Sequence, residues 1–195
     1  MPFTVSVLDI GCYCKRMRAE NHDIIIYMQL ENIKKNNEFV WASVFVEHLN
    51  QVLHADYRLE PEYGENSPVD MHVISRSGGL PHLDLQLTHA IEVPFVALTD
   101  HMAVDFSNHP TVQAIERKQH RLQEQGANLS KLVLIIQGYM SQEVADKAFT
   151  AQFFERFKQS PFMGIYYVAP PMMSAETNES MQDSVVVTIK DAFKS

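Results

Sequence analysis

The pattern of apolar and polar positions divides most of the chain into helices and strands. Segment 37–57 (NEFVWASVFVEHLNQVLHADY) has the spacing of a helix with a wide apolar face. Segment 23–38 contains an isoleucine run that also suits a strand, but Ile25 and Met28 favour a helix. We expect the apolar face of the 37–57 helix to consist of Phe39, Val40, Val44, Val46, Leu49, Val52 and Leu53.

A β-hairpin is predicted in the middle of the chain. Segments 69–74 (VDMHVI) and 82–88 (HLDLQLT) alternate as strands do, and the turn between them contains Gly78 and Gly79. These glycines adopt positive φ at little cost, which a tight turn requires. The preceding segment 58–68 contains proline and glycine and is predicted to be a loop.

Two helices and three strands are predicted after the hairpin. Pro110 fits the first turn of a helix that Asn108 or His109 caps and Gly126 closes. A second helix, 141–160, begins at the capping residue Ser141. The apolar runs 131–139 and 162–170 predict buried strands, 170–183 is a polar connection, and 184–193 is a closing strand.

These elements predict an α/β fold, an α/β sandwich around a mixed sheet. The order is helix, hairpin, helix, strand, helix, strand, strand, and the length of 195 residues suits one domain. Residues 37–195 are assigned to this domain. Residues 1–36, which include a weak strand pattern at 3–11, are expected to form an extension packed on or near it.

Composition and charge narrow the classes of function. The chain is 46% hydrophobic and 21% charged, with a formal net charge of -8. This charge argues against a protein that coats DNA through many Lys and Arg contacts to phosphate. No apolar run reaches the length of a membrane helix and the N-terminus lacks a signal-peptide pattern, so we expect a cytoplasmic protein. Cys12 and Cys14 are interpreted as reduced thiols, with a metal site shared with His22 as the alternative.

Polar residues occupy one side of the second hairpin strand. Because side chains alternate along a strand, the leucines of HLDLQLT point to one side and Asp84 and Gln86 point to the other. Asp70 on the partner strand comes close to Asp84 if the hairpin bows apart near its loop. Mg²⁺ prefers oxygen ligands and retains several waters, so Asp70, Asp84, a backbone carbonyl and waters would satisfy it.

Glu47 is the third candidate metal ligand. It shares a helix face with Val40, Val44 and Gln51. An acid within a buried stripe costs free energy unless it has a partner, and a metal ion or its bound water would supply one. The prediction is therefore that Glu47, Asp70 and Asp84 converge on one ion.

This pattern resembles the PD-(D/E)XK phosphodiesterase superfamily, the restriction-endonuclease-like nucleases. The matching residues are Glu47, Pro68-Val69-Asp70 and Asp84-Leu85-Gln86, and the helix 114–122 followed by the strand 131–139 extends the similarity over roughly 38–170. The resemblance implies a restriction-endonuclease-like core and a nuclease that uses Mg²⁺ or Mn²⁺. It also implies a nucleic-acid substrate, with DNA favoured, and a homodimer as one option.

The resemblance also assigns roles, with one departure. Glu47, Asp70 and Asp84 would hold the metal ion. Gln86 stands where the superfamily usually has a lysine that orients or activates water. Glutamine occurs there in some active members, and Lys118 is a candidate substitute that has moved to a neighbouring helix. Arg76, Arg117, Lys118 and Arg121 would supply positive charge toward a nucleic-acid backbone.

Each candidate residue also has a plain structural interpretation. Asp70 follows Pro68 and can cap a turn. Asp84 and Gln86 can face solvent from an amphipathic edge strand. Glu47 and Lys118 can lie on solvated helix faces, because Lys118 is outside the apolar stripe of its helix.

Two alternative functions remain open. One is a catalytically inactive nuclease fold that acts as a nucleic-acid-binding or protein-interaction module, which the missing lysine and the acidic composition favour. The other is a histidine-rich zinc site that uses His72, His82 or His89, although no HExxH spacing is present.

Overall fold

A computed structural model of the chain describes residues 23–61, 67–90, 109–173 and 180–194. The predictions for 3–11, Cys12, Cys14 and His22 lie outside the described residues. The strands are β1 (Tyr57–Pro61), β2 (Met71–Ser75), β3 (Leu83–His89), β4 (Leu132–Gln137), β5 (Gly164–Ala169), β6 (Met172–Met173), β7 (Ser180–Gln182) and β8 (Val185–Lys190). The helices are α1 (Asp23–Leu53), α2 (Pro110–Glu124), α3 (Gln142–Ala148) and α4 (Ala151–Phe157), with a 3₁₀ turn at Leu129–Lys131.

The main sheet is mixed and has six strands in the order β1-β2-β3-β4-β5-β8. Strands β1, β2 and β3 form an antiparallel meander, β3, β4 and β5 are mutually parallel, and β8 returns antiparallel to β5. The predicted α/β class with a mixed sheet is therefore confirmed. Strands β6 and β7 form a separate two-stranded ribbon within the segment predicted to be a polar connection.

Helices cover both sides of this sheet and define two core layers. On one side, which we call the α1 face, helix α1 packs against the leucines of β3 and against Val133 and Ile135 of β4. On the other side, the α2 face, helices α2, α3 and α4 pack against Leu132, Leu134 and Ile136 of β4. Alternate residues of each strand therefore enter different layers, as the pleat of a sheet requires.

Helix α1 is continuous through residue 36, where the sequence predicted the boundary between extension and domain. The predicted apolar face was partly wrong, because Phe39, Val40 and Val52 are among the exposed hydrophobic residues. The packing face is instead rotated toward aromatic residues that follow an i, i+4 spacing. Its buried members are Trp41, Ala42, Phe45, Val46 and Leu49.

Strand β1 replaces part of the predicted loop 58–68. Its backbone is held at one end by Asn50, whose amide donates to Tyr57 O at 3.0 Å and accepts from Tyr57 N at 2.7 Å. Pro61 ends the strand, which is tolerated because β1 lies at the sheet edge and has no outer strand to receive an N–H. The loop prediction was wrong for residues 58–61 because it took proline as a sign of a loop, although proline is tolerated in an edge strand.

The predicted caps of the second half are largely confirmed. The His109 side chain accepts from Thr111 N at the start of α2, and Gly126 has a φ of 71° just after its end. Ser141 caps α3 by accepting from Val144 N. The single helix predicted for 141–160 is wrong, however, because the chain leaves helical geometry at Phe149 and Thr150 caps a new helix, α4.

None of the described helices combines the length and the apolar character required to cross a membrane.

Candidate functional site

The candidate site lies where strand β2 begins and β3 continues beyond it. Met71, the first residue of β2, pairs with Leu85, so Leu87 lies past the last β2 pair. The two backbone groups of Leu87 are instead met by side chains. Asp70 Oδ2 accepts from Leu87 N at 2.7 Å, and Lys118 Nζ donates to Leu87 O at 2.9 Å. Two charged side chains thus complete the hydrogen bonding of this strand end.

Lys118 is buried, which contradicts its placement on a solvated helix face. Only 7% of it is exposed, and it lies on the packed side of α2 with Ile115 and Leu122. A buried ammonium is costly without partners. Besides the carbonyl of Leu87, Lys118 Nζ lies 4.0 Å from Asp70 Oδ2. Helix α2 therefore delivers a positive charge to the end of β3, as the proposal of a relocated lysine requires.

Gln86 presents its amide oxygen beside this charged pair. It faces α2, because its partner in β4, Leu134, belongs to the α2-side core. Its Nε2 donates to the carbonyl of Pro68, and Gln86 is 2% exposed. The buried Oε1 has no hydrogen-bond partner among the described residues. Most buried polar atoms are satisfied, so this oxygen requires an explanation.

Asp70 lies close to Gln86 and has oxygen capacity left. Asp70 N donates to Leu85 O at 2.8 Å, although Leu85 is paired with Met71 in the β2–β3 register, so the ladder is irregular at this end. The Asp70 carboxylate accepts from Leu87 N, so Asp70 is hydrogen-bonded to both chain neighbours of Gln86. The contacts described for the Asp70 carboxylate all involve Oδ2. Oδ1 and the Gln86 oxygen are therefore the two available oxygens of the site.

Asp84 does not meet Asp70 as the sequence predicted. It pairs in register with His72, and its Oδ1 lies 2.8 Å from His72 Nδ1. Both side chains are about one third exposed, at 35% for the histidine and 36% for the aspartate. Because His72 is the residue opposite Asp84, Asp70 is two residues away along the partner strand. Asp84 therefore lies next to the site, but its carboxylate already contacts His72.

Glu47 lies on the other side of the sheet. It is an exposed residue of α1, which packs against the α1 face, whereas Asp84, Gln86 and Lys118 belong to the α2 face. Glu47 lines an open groove of about 540 Å³ between α1 and β1. The predicted convergence of Glu47, Asp70 and Asp84 on one ion is therefore not present, because the sheet separates the helix from the two strands' polar side.

The predicted basic residues do not lie together on one surface. Arg76 lines the same groove as Glu47 and stands after the end of β2, about 20 Å along the strand from Asp70 at roughly 3.4 Å per residue. Arg117 and Arg121 are exposed on α2, the helix that carries the buried Lys118. Only the α2 residues are therefore positioned near the candidate site.

Across the described ranges, no cluster of three or more His, Cys, Asp or Glu residues could hold a metal ion. His72 is joined to Asp84. His82 and His89 are exposed and lie at opposite ends of β3. A cation at the site would therefore depend on the oxygens of Asp70 and Gln86. The sequence interpretation missed that Leu87 supplies backbone groups to this site, since nothing in its side chain signals that role.

The pairing of His72 with Asp84 was also missed, although a signal was present. With the hairpin turn placed correctly, counting outward from it sets residue 72 opposite residue 84. A histidine and an aspartate directly opposite each other in an antiparallel pair predict a cross-strand contact.

No protein-family model matches the chain, and no significant match was found among curated proteins or solved structures. The resemblance to the restriction-endonuclease-like nucleases therefore remains a prediction.

Proposed function

We propose that the protein is a divalent-metal-dependent nuclease that hydrolyses phosphodiester bonds, with DNA as its favoured substrate and a restriction-endonuclease-like core. The elements on which the resemblance rests occur in the expected order: helix α1, the β2–β3 hairpin, helix α2 and strand β4. This order supports the proposal. The order of elements is not sufficient evidence for the proposal, because many mixed α/β folds share such an order.

The observation that carries the proposal is the set of groups around Leu87. Asp70, whose carboxylate has one oxygen without a described contact, is hydrogen-bonded to both chain neighbours of Gln86. The buried amide oxygen of Gln86 lacks a described partner, and a buried ammonium lies 4.0 Å from the Asp70 carboxylate. The Gln86 oxygen is one of five buried side-chain atoms without a hydrogen-bond partner among the described residues, and it lies beside a carboxylate and an ammonium. Two oxygens and a positive charge at one strand end are the parts of a phosphoryl-transfer site.

The oxygens of Asp70 and Gln86 fit Mg²⁺ or Mn²⁺. Mg²⁺ is usually held by one or two carboxylates together with substrate phosphates and waters, so one carboxylate and one amide oxygen satisfy its minimum. When bound, such an ion polarises a phosphoryl oxygen and makes a nucleophile available near neutral pH. Asp70 and Gln86 replace the predicted set of Glu47, Asp70 and Asp84.

Lys118 supplies the positive charge that Gln86 lacks. Its ammonium is fixed by Leu87 O at 2.9 Å and therefore does not have to be ordered when substrate binds. A preorganised cation in a water-poor site stabilises negative charge that develops on a phosphoryl group. Asp84 has a positioning role in this arrangement, because it holds His72 on strand β2, which begins directly after Asp70.

Cleavage of plasmid and oligonucleotide DNA in Mg²⁺ or Mn²⁺ tests this function. Wild-type protein is expected to cleave, and Asp70→Asn to lose cleavage while remaining folded. Glu47→Gln is the matched control, because it changes an acid on the opposite side of the sheet and should cleave as wild type does. Absence of wild-type cleavage with both ions and with both single- and double-stranded DNA would refute the nuclease assignment.

A second candidate function is a binding module that has lost catalysis. It is favoured by a specific observation: Asp84 is joined to His72 at 2.8 Å, which leaves Asp70 as the single carboxylate beside Gln86 among the described residues. A binding module predicts no cation-dependent change in melting temperature beyond the effect of ionic strength. A nuclease site predicts stabilisation by mass action as the cation concentration rises.

A further inference from the structure

Strand β1 forms one outer edge of the six-stranded sheet, next to β2. In an antiparallel strand the N–H and C=O of one residue point to the same side, and successive residues alternate between the two sides. The backbone of Asp56 faces β2, because its carbonyl accepts from Arg76 N at 3.3 Å. By alternation, the backbone groups of Tyr57, Leu59 and Pro61 face outward, away from the sheet.

A side chain already occupies the outward groups of Tyr57. The amide of Asn50, on helix α1, donates to Tyr57 O at 3.0 Å and accepts from Tyr57 N at 2.7 Å. An asparagine amide offers a donor and an acceptor as a peptide group does, so Asn50 takes the place of a residue in a neighbouring strand. Pro61 has no N–H to offer. Within the described strand β1, Leu59 alone therefore presents an N–H outward without a described acceptor.

The charges of this strand are complementary to those of a second copy of itself. Arg58 and Glu60 are exposed on one face of β1 and form an ion pair at 2.8 Å within one chain. In an antiparallel pair of two β1 strands centred on Leu59, Arg58 of each copy would lie opposite Glu60 of the other. Opposite charges in facing positions favour pairing, and a two-fold interface requires such self-complementarity. The occupant that fits this edge is therefore a second copy of the chain.

The surroundings of the edge favour the same occupant. In this pairing Tyr57 N would donate to Pro61 O of the second copy, and the two Leu59 residues would exchange their N–H and C=O groups. Phe39 is 44% exposed and lines the groove between α1 and β1 together with Leu59. Strand addition beside this groove would cover apolar surface. The amide of Asn50 blocks the pairing, because it occupies the position that the second strand needs at Tyr57.

We propose that Asn50 closes the outer edge of β1 and thereby prevents a second copy of the chain from adding its own β1. An unpaired edge strand is a template for another chain, and proteins block such edges with short strands, prolines or covering groups. Strand β1 has five residues, ends in a proline and is covered at Tyr57 by Asn50. Bonds at Leu59 alone are too few to offset the cost of association. This inference is independent of the proposed nuclease function.

Sedimentation velocity over a range of protein concentrations tests the inference without a cleavage assay. Wild type should keep one mass across the range. Asn50→Ala should shift with rising concentration to twice that mass, because Tyr57 and Leu59 then both present open backbone groups. Gln51→Ala is the matched control, because Gln51 is the exposed neighbour of Asn50 and lines the same groove. It should sediment as wild type does.

A second substitution separates edge pairing from the aggregation of a destabilised protein. Asn50→Ala also loses both hydrogen bonds to Tyr57, so its melting temperature should fall. Adding Leu59→Pro removes an outward N–H and no bond to β2, a change that an edge strand tolerates. The double variant should return to the wild-type mass although it is no more stable than Asn50→Ala. Association that persists in the double variant would show that unfolding, and not the β1 edge, is its cause.

Charge exchange tests the geometry of the pair. In the Asn50→Ala background, Arg58→Glu places a glutamate opposite Glu60 of the second copy and should weaken association about 5-fold or more, since two symmetric pairs are affected. Combining Arg58→Glu with Glu60→Arg restores opposite charges and should recover the affinity to within about 2-fold. An Asn50→Ala protein that keeps the wild-type mass at every concentration overturns the inference. An exchanged variant that associates no better than Arg58→Glu also overturns it.

Discussion

An aspartate contacts each end of the β2–β3 hairpin, and the two are used differently: Asp56, which precedes β1, at the loop end and Asp70 at the open end. At the loop end, Asp56 accepts from Ser75 Oγ at 2.7 Å through Oδ1 and from Ser77 N through Oδ2, so both oxygens serve the turn. At the open end, the described contacts of Asp70 use Oδ2 alone, and the neighbouring Gln86 oxygen is buried without a described partner. The structural aspartate, Asp56, accepts hydrogen bonds through both carboxylate oxygens. The candidate site aspartate, Asp70, has one oxygen without a described contact.

The hydrogen bonds at Asp56 also lower the pKa of its carboxyl group. The hydroxyl of Ser75 is the main reason that the pKa of Asp56 is lowered, with the Ser77 contacts adding to the effect. Acceptance of hydrogen bonds favours the charged form of a carboxylate. This stabilisation is present above the ordinary aspartate pKa and is lost as pH falls through the lowered value. Asp56 therefore belongs to folding and not to chemistry.

The largest expected effect comes from exchanging these two carboxylates for amides. Asp70→Asn keeps an acceptor for Leu87 N but removes the charge that would hold a cation. We expect the cleavage rate to fall about 100-fold or more, since even groups outside the ligand set commonly matter 10- to 100-fold. Asp56→Asn should leave cleavage unchanged and lower the melting temperature. The comparison fails if both variants lose cleavage equally at a temperature where both are folded.

Lys118→Met tests whether the buried ammonium does more than finish a strand. Loss of the donor leaves Leu87 O without its lysine partner, which should cost about 1–3 kcal/mol in the free energy of unfolding. If the charge also acts on substrate, cleavage should fall at least about 10-fold under conditions where the variant is folded. Urea unfolding and a cleavage assay measure the two effects.

Arg117→Met is the control for this prediction, because Arg117 is exposed on the same helix and is adjacent in sequence. It should change neither stability nor the rate at saturating substrate. If Lys118→Met retains full cleavage, Lys118 has only the structural role and the account loses its source of positive charge.

A smaller effect concerns the cap of the helix that delivers Lys118. His109 caps α2 by accepting from Thr111 N at 3.2 Å through Nδ1, so the cap requires an unprotonated ring nitrogen. Burial lowers the pKa of His109, so its contribution is complete above the ordinary histidine value of about 6.5 and is lost as pH falls through the folded value.

His109→Asn should therefore flatten the stability profile between neutral and mildly acidic pH. Asparagine caps a helix without titrating, so the variant should lose less stability than wild type as pH falls, by a difference of under about 1 kcal/mol for this partly exposed ring. Some slope should remain, because burial also lowers the pKa of His48. Urea unfolding at a series of pH values measures the difference, and parallel profiles for the two proteins would show that the cap does not titrate.

The strands at the centre of the sheet were predictable from the sequence, whereas the burial of Lys118 was not. The alternation that predicted β2 and β3 and the apolar runs that predicted β4 and β5 depend on local pattern, and those strands are present. The burial of Lys118 was not predictable in this way. Helix periodicity identifies a buried face by its apolar residues, and it cannot reveal that a strand end across the core offers a carbonyl to an ammonium.

The site was predicted in its residue types but not in its grouping. Lys118 was predicted to lie on a helix that packs beside the hairpin, and its Nζ is 4.0 Å from Asp70 Oδ2. Glu47 and Asp84 were grouped with Asp70 by helix periodicity, by strand alternation and by the resemblance. The side of the sheet that α1 covers and the two-residue offset between Asp70 and the residue opposite Asp84 are both set by tertiary packing, which a single sequence does not display.

Thermal unfolding under increasing Mn²⁺ tests the central claim most directly, because it detects a cation held by Asp70 and Gln86 whether or not cleavage occurs. At constant ionic strength, the account predicts that the melting temperature of wild type rises with Mn²⁺ by mass action. The rise should be lost in Asp70→Asn and reduced in Gln86→Leu, and it should persist in Glu47→Gln. A wild-type melting temperature that does not respond to Mn²⁺, or an equal rise in Asp70→Asn, would contradict the claim.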